Sequence, residues 1–212
     1  MTTSTSDCRA VRRLILLLAA VCGTACGLVD DSRSEDDKLL YLTFFDKTFE
    51  VLCLGQYDLD GDGRLSRYEA QRVVALDCSG CGISSLADLR EFPNLRELAC
   101  RDNALRELDV HFLTHLERLD CRGNGLERLD VDGLRSLTSL QCSDNSLPQL
   151  DLASNASLAE LDARSNLLLT LDVSNCSPTL VADVRANSGL ATVYCLSTQG
   201  IASDGGTELL IR

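Results

Sequence analysis

Residues 58–69 read Asp-Leu-Asp-Gly-Asp-Gly-Arg-Leu-Ser-Arg-Tyr-Glu. Oxygen-bearing side chains at alternate positions can all turn toward one point, which is what a hard divalent cation requires. Asp58, Asp60 and Asp62 offer carboxylates at loop positions 1, 3 and 5, and Gly63 at position 6 permits a sharp turn. Arg64 at position 7 contributes its backbone carbonyl. Ser66 at position 9 ligates directly or holds a water, and Glu69 at position 12 closes the set as a bidentate ligand. Four carboxylates this close repel one another without a counter-ion, so Ca2+ is the expected cofactor. The competing reading is an acidic surface turn. Leu65, apolar at position 8, is expected to tie the loop to a core.

Elements on both sides must hold such a loop. Leu42, Phe45, Phe49 and Leu52 recur at spacings of three and four, which predicts a helix over residues 38–56, with Ser34 and Asp37 placed to cap its start. Ser66 and Glu69 have the spacing of a capping box, and a second short helix is expected from there to about Val74. The motif resembles an EF-hand, so residues 38–74 are expected to form a helix-loop-helix cap. EF-hands normally pair, and the chain carries one such loop. A lone loop points to a brace for its neighbour rather than to a calmodulin-type sensor.

Other reactive side chains are cysteines and histidines. Cys78, Cys100, Cys121 and Cys142 lie in one register, continued by Ala163 and Val184. A column that accepts Ala and Val wants small apolar volume, which predicts buried thiols. Parallel side chains on stacked strands also have poor disulfide geometry. Cys78 and Cys81 form a lone Cys-x-x-Cys, the only feature a thiol redox enzyme would rest on. Cys53, Cys176 and Cys195 have no evident partners. His111 and His115 read as exposed loop residues without a matching carboxylate pattern. With no nucleophile motif and no phosphate-binding glycine loop, the chain reads as a binding protein, not an enzyme.

The cysteine register belongs to an internal repeat. Asn103, Asn124, Asn145, Asn166 and Asn187 are 21 residues apart. Four leucine columns keep the same step: Leu95, Leu116, Leu137, Leu158; Leu98, Leu119, Leu140, Leu161; Leu105, Leu126, Leu147, Leu168; and Leu108, Leu129, Leu150, Leu171. An earlier unit with Leu76, Cys78, Cys81, Ile83 and Leu86 is one residue longer. One such unit cannot bury its apolar face alone, whereas stacked neighbours can. Alternation around Leu98-Ala99-Cys100 predicts a short parallel strand in each unit. The asparagines are expected to turn inward and bridge the backbones of adjacent coils, because a buried amide must be hydrogen-bonded.

The pattern Leu-x-x-Leu-x-Cys-x-x-Asn-x-Leu resembles leucine-rich repeat proteins. With Leu-Asp-Val at 108–110 and 129–131, it is similar to the internalin-related subtype that carries a cysteine in each strand. The resemblance implies an α/β repeat solenoid: a short leucine-rich repeat horseshoe with a parallel concave sheet over residues 75–195. Residues 196–212 would close the far end, with Glu208 to Ile211 as a strand.

Outward strand positions then form two columns. One holds Asp77, Ala99, Asp120, Gln141, Asp162 and Asp183, and the other Ser79, Arg101, Arg122, Ser143, Arg164 and Arg185. Either this striped face binds a protein ligand, with Arg101, Asp120, Arg122, Asp162, Arg164, Asp183 and Arg185 as its contacts, or its acids and bases pair with each other. A second column, Asp109, Asp130, Asp151 and Asp172, is expected to cap local turns, a calcium ladder being the alternative.

The N-terminus reads as an address. Arg9, Arg12 and Arg13 precede an apolar run of eight, Leu14 to Val21, which is too short to span a bilayer. Small residues follow, so residues 1–25 are expected to be a signal peptide. The segment resembles a bacterial lipoprotein signal, which implies acylation of Cys26 after Ala25. Gly23 stands where such signals usually have leucine. Simple secretion after cleavage at Ala25 is the other reading. Residues 26–37, with Asp30, Asp31, Glu35, Asp36 and Asp37, are expected to be an acidic tether. They also resemble the stretch that sends lipoproteins of the Bacteroides group to the outer face of the outer membrane, where similar proteins carry an EF-hand before their repeats.

The formal net charge is −12, and Trp is absent. A surface this acidic repels phosphate, and the few aromatic residues make no stacking platform, so nucleic acid is excluded as a partner. The expected protein is exported, anchored to the outer membrane through an N-terminal lipid, and displayed at the cell surface. It would act there as a calcium-binding adhesion or protein-binding module. The alternative is a periplasmic or outer-membrane scaffold subunit that binds another bacterial protein.

Overall fold

The computed structural model describes residues 40–212. The expected signal peptide, the Cys26 lipidation site and the acidic tether lie outside the described residues. No helix among the described residues is long and apolar enough to cross a membrane.

Two helices come first, α1 (Lys47–Tyr57) and α2 (Arg67–Ala70). Strands of three or four residues follow: β1 (Ala75–Asp77), β2 (Glu97–Ala99), β3 (Glu107–Asp109), β4 (Arg118–Asp120), β5 (Arg128–Asp130) and β6 (Ser139–Gln141). Then come β7 (Glu160–Asp162), β8 (Thr170–Asp172), β9 (Val181–Asp183), β10 (Thr192–Cys195), β11 (Gly200–Ala202) and β12 (Glu208–Ile211). Alternate strands join one seven-stranded sheet in the order β1-β2-β4-β6-β7-β9-β11, and a second row holds β3-β5 and β12-β10-β8. The strand pairings among the described residues are parallel, so the chain winds as a solenoid whose coils stack in one direction.

The period sets the register. Leu98 pairs with Leu119, Leu119 with Leu140, and Leu140 with Leu161. All sixteen leucines of the four columns are buried. Taking each such side chain out of water contributes about 1.5–3 kcal/mol, which offsets the ordering cost of a fold built on three-residue strands. The longer first unit is absorbed before β2, where Asp77 still pairs with Ala99.

After each strand the chain must turn so that the ladder asparagine points inward. The residue just before each asparagine adopts a left-handed conformation: Asp102 at φ 55°, Gly123 at 62°, Asp144 at 55°, Ser165 at 53° and Ala186 at 58°. Glycine and aspartate tolerate this region best, which accounts for three of the five. The inward amides then do what was expected of them. Asn145 Nδ2 donates to the carbonyls of Cys121 and Cys142, each at 3.1 Å, and its Oδ1 accepts from Leu126 N at 3.0 Å. Asn103, Asn124, Asn166 and Asn187 repeat the arrangement.

At the front, α1 begins at Lys47; residues 38 and 39, where the expected helix would start, and its expected caps Ser34 and Asp37 lie outside the described residues. Asp46 caps α1, accepting from Thr48 N at 2.8 Å and Phe49 N at 3.1 Å. Residues 41–46 are not helical: Tyr41 bridges Ser66, and Leu42 N donates to Leu65 O at 2.8 Å. Phe45 is accordingly 85% exposed, while Phe44 takes the buried place. The second helix ends at Ala70, not near Val74, because the chain must leave the turn in time to begin β1 at Ala75.

Both helices pack on the first coil. Phe49 lies between Phe44 and Phe92, with ring centroids 5.6 and 5.9 Å apart. Asp46 Oδ2 accepts from Ser84 N at 2.9 Å, Phe45 N donates to Asp88 Oδ2 at 2.9 Å, and the Tyr57 hydroxyl donates to Ala75 O at 2.9 Å. At the other end, β12 forms as expected and pairs with β10. It extends the second row over the buried Val193 and Cys195 of β10, with Leu209, Leu210 and Ile211 themselves exposed.

Candidate functional site

The loop between α1 and α2 is shaped by its own side chains. Asp58 accepts from Gly61 N at 2.8 Å and from Gly63 N at 3.0 Å. Glycines at these points are required by the backbone, with φ of 73° at Gly61 and 79° at Gly63. Glu69 folds back across the loop, accepting from Leu59 N at 2.7 Å on Oε1 and from Ser66 N and Oγ at 2.8 Å on Oε2. Ser66 Oγ accepts from Glu69 N at 3.2 Å, which completes the capping box. Burial pushes the Glu69 carboxyl up, but the donors from Ser66 and Leu59 outweigh it and hold the group below its ordinary range.

Carboxylate oxygens of Asp58, Asp60 and Glu69 all lie within 4.8 Å of one another. This is the geometry of an oxygen cage, and these residues fit a hard cation. Asp62 stands apart from that group: its Oδ1 accepts from Arg64 N at 2.8 Å, and its carboxylate takes a hydrogen bond from the Tyr41 side chain. Arg64 places its guanidinium 4.8 Å from the Tyr41 ring centroid. Ser66 spends its hydroxyl on Glu69. Leu65 is buried at 1% exposure, anchoring the loop as expected.

On the outer face of the seven-stranded sheet, acids and bases pair within strands. Arg122 donates to Asp120 from Nε at 2.9 Å and Nη2 at 2.7 Å. Arg164 forks onto Asp162 at 2.8 Å through both nitrogens, and Arg185 onto Asp183 at 2.9 and 2.5 Å. Arg164 also reaches Asp183 of the next coil at 3.7 Å. The Arg185 guanidinium lowers the Asp183 carboxyl, while at Asp162 burial raises the group and Arg164 overcomes it. Pairs this exposed add little stability. What they do is hold long side chains in fixed forks. Arg101, beside Ala99 instead of an aspartate, makes no ion pair among the described residues.

The cysteine column is buried as expected. Cys78, Cys100, Cys121 and Cys142 are free thiols with no exposed surface. Burial pushes the Cys142 thiol up to about 12 and raises those of Cys78, Cys100 and Cys121 well above the ordinary range, the opposite of what a nucleophilic cysteine needs. Cys81 is disulfide-bonded while Cys78 is not, so the two do not act as a dithiol pair. Cys176 continues the buried column Leu113, Leu134, Asn155, and Cys195 follows Val173 at the end of the second row. The Cys176 position could have been read from the 21-residue step; Cys195 stands 22 residues after Val173, one residue out of step.

The second aspartate column caps turns. Each Oδ1 accepts from the amide two residues on: Asp109 from His111, Asp130 from Asp132, Asp151 from Ala153 and Asp172 from Ser174, at 3.0–3.3 Å. His111 does have carboxylates beside it, contrary to the sequence expectation. Its Nδ1 is 2.5 Å from Asp109 Oδ1, and Asp130 is brought alongside by the register of β3 with β5.

With this geometry in place, comparison with solved structures is informative. The functional domain of InlJ from Listeria monocytogenes, which includes a cysteine ladder, superimposes with a TM-score of 0.63 at 27% identity. The chain is a parallel-strand solenoid similar in fold to that domain. The match covers 74% of this chain and 37% of the InlJ domain, so the chain spans well under half of that structure. The internalins InlF and InlC2 of the same species give TM-scores of 0.48 and 0.46 at 15% and 16% identity, covering 74% and 76% of this chain and 58% and 88% of theirs. No family model matches the chain, and no curated protein matches it.

Proposed function

We propose that this chain is a calcium-braced leucine-rich repeat module of a bacterial envelope that binds a protein ligand on the outer face of its main sheet. The observation that carries the reading is the row of forked Asp–Arg pairs on an uninterrupted parallel sheet. Solenoids offer extended surfaces of this kind to partners. Arginines already locked by a neighbouring carboxylate lose little freedom when a ligand docks, which lowers the ordering cost of association. Arg122, Arg164 and Arg185, with Asp120, Asp162, Asp183 and Arg101, form the contact stripe.

At the front, Asp58, Asp60 and Glu69 would hold Ca2+ with Asp62, the Arg64 carbonyl and Ser66 as further oxygens, in the manner of an EF-hand. The ion supplies charge neutralisation that lets the loop stay closed. The protein residues do the rest: Glu69 joins the loop to α2, Leu65 joins it to the core, and Asp46 joins α1 to Ser84 of the first coil. Export through residues 1–25 and acylation at Cys26 would tether the module to the outer membrane.

Reversal of two charges tests the recognition surface. The Arg122→Glu, Arg164→Glu double variant, displayed on source cells, is expected to lose at least about tenfold in binding to whatever protein the wild type captures, because the reversal sets like charge against the groups that would dock there. Unchanged capture would remove the sheet face from the reading. Protease added to intact cells separates the two settings: digestion, with Cys26→Ala released from the membrane, fits the surface adhesion module. Protection until the envelope is broken fits the scaffold subunit.

A further inference from the structure

Asp109 ends β3 and Asp130 ends β5, and the parallel register sets them directly side by side on adjacent coils. His111 follows two residues after Asp109 and turns back over the pair. One ligand atom from each of the three residues lies within 4.8 Å of the other two. All three are accessible: the His111 side chain is 46% exposed and that of Asp109 49%.

Each group is also held from behind. Asp109 accepts from His111 N through Oδ1, and its Oδ2 is 3.3 Å from Arg90 Nη2. Asp130 accepts from Asp132 N, and its Oδ2 is 3.6 Å from Arg128 Nη2. The His111 ring stands edge-on to Phe112 with centroids 5.5 Å apart, and Arg90 lies 4.4 Å over that same Phe112 ring. Ligands oriented by outer partners in this way keep their direction when an ion is absent.

The donor set is chemically distinct from the loop at residues 58–69. Two carboxylate oxygens and one imidazole nitrogen suit a borderline ion such as Zn2+, which commonly takes three protein ligands and completes its shell with water. Calcium prefers an all-oxygen shell and gains little from an imidazole. Among the described residues the site belongs to one pair of coils: along the same column Asp132, Ala153 and Ser174 stand where His111 stands, and none supplies a nitrogen ligand.

We propose that Asp109, His111 and Asp130 form a second metal site, for a zinc-type divalent ion, that clips two successive coils together on the second strand row. The site does not depend on calcium occupancy of the front loop.

Isothermal titration of the full chain with zinc, in saturating calcium, tests this. The wild type is expected to bind one equivalent saturably, with the His111 ring resonances shifting and those of His115 still. His111→Ala and Asp130→Asn are each expected to weaken binding by about tenfold or more, while Asp60→Asn and His115→Ala leave it unchanged. Circular dichroism of the variants checks that these surface changes leave the fold intact. Absence of saturable binding to the wild type, or binding that survives His111→Ala, would overturn the proposal.

Discussion

Replacing Asn166 with leucine is expected to destabilise the solenoid by about 3–5 kcal/mol, seen as a fall in the urea midpoint. The side chain is 3% exposed. Its Nδ2 donates to Cys142 O at 3.0 Å and Ala163 O at 3.2 Å, and its Oδ1 accepts from Leu147 N at 3.0 Å. One amide therefore satisfies backbone groups on two successive coils. Leucine fills the volume and pairs with none of them. Each buried group left without a partner costs about 1–3 kcal/mol, and domains have only about 5–15 kcal/mol in total. A loss below about 1 kcal/mol would mean that water reaches these backbone groups and that the ladder is not structural.

The second large effect is expected from calcium. A site with a dissociation constant of about 10⁻⁴ M, in the range of extracellular modules, at about 10 mM calcium stabilises the folded chain by about 2.7 kcal/mol. For a chain of this size that corresponds to about 5–10 °C in Tm. Excess EDTA is expected to abolish the increment. Asp58→Asn is expected to abolish it as well, because that side chain both closes the loop onto Gly61 and Gly63 and joins the carboxylate group. Equal melting points in calcium and in EDTA would leave the loop as an acidic turn.

The repeat could be read almost completely from the sequence because its signal is redundant. Every leucine of the four columns, every ladder asparagine and every column cysteine recurs several times at one step, so no single residue carries the inference. Leu65 and the loop register were legible because backbone turns fix which positions can converge. The helix boundaries were not. Phe45 fits a helical period by chance, and only the pairing of Leu42 with Leu65 shows that residues 41–46 belong beside the loop. The sheet face was half legible. Its columns follow from the period, but whether Arg122 turns to Asp120 or outward depends on rotamers that a period does not encode. His111 is exposed as expected, but its carboxylate neighbours were not legible: Asp109 lies two residues before it and Asp130 nineteen after, and Asp130 comes alongside only when adjacent coils are laid side by side.

Calcium bracing of the front coil is tested most directly by amide hydrogen exchange along the chain with calcium and with EDTA. Chelation is expected to strip protection from residues 59–70 and from the first coil through Leu89, which Asp46, Phe49 and Tyr57 hold in place. Amides around Leu140, Leu161 and Ala182, several coils away, are expected to keep most of theirs. Identical exchange in both conditions, or a loss spread evenly over all coils, would contradict the bracing.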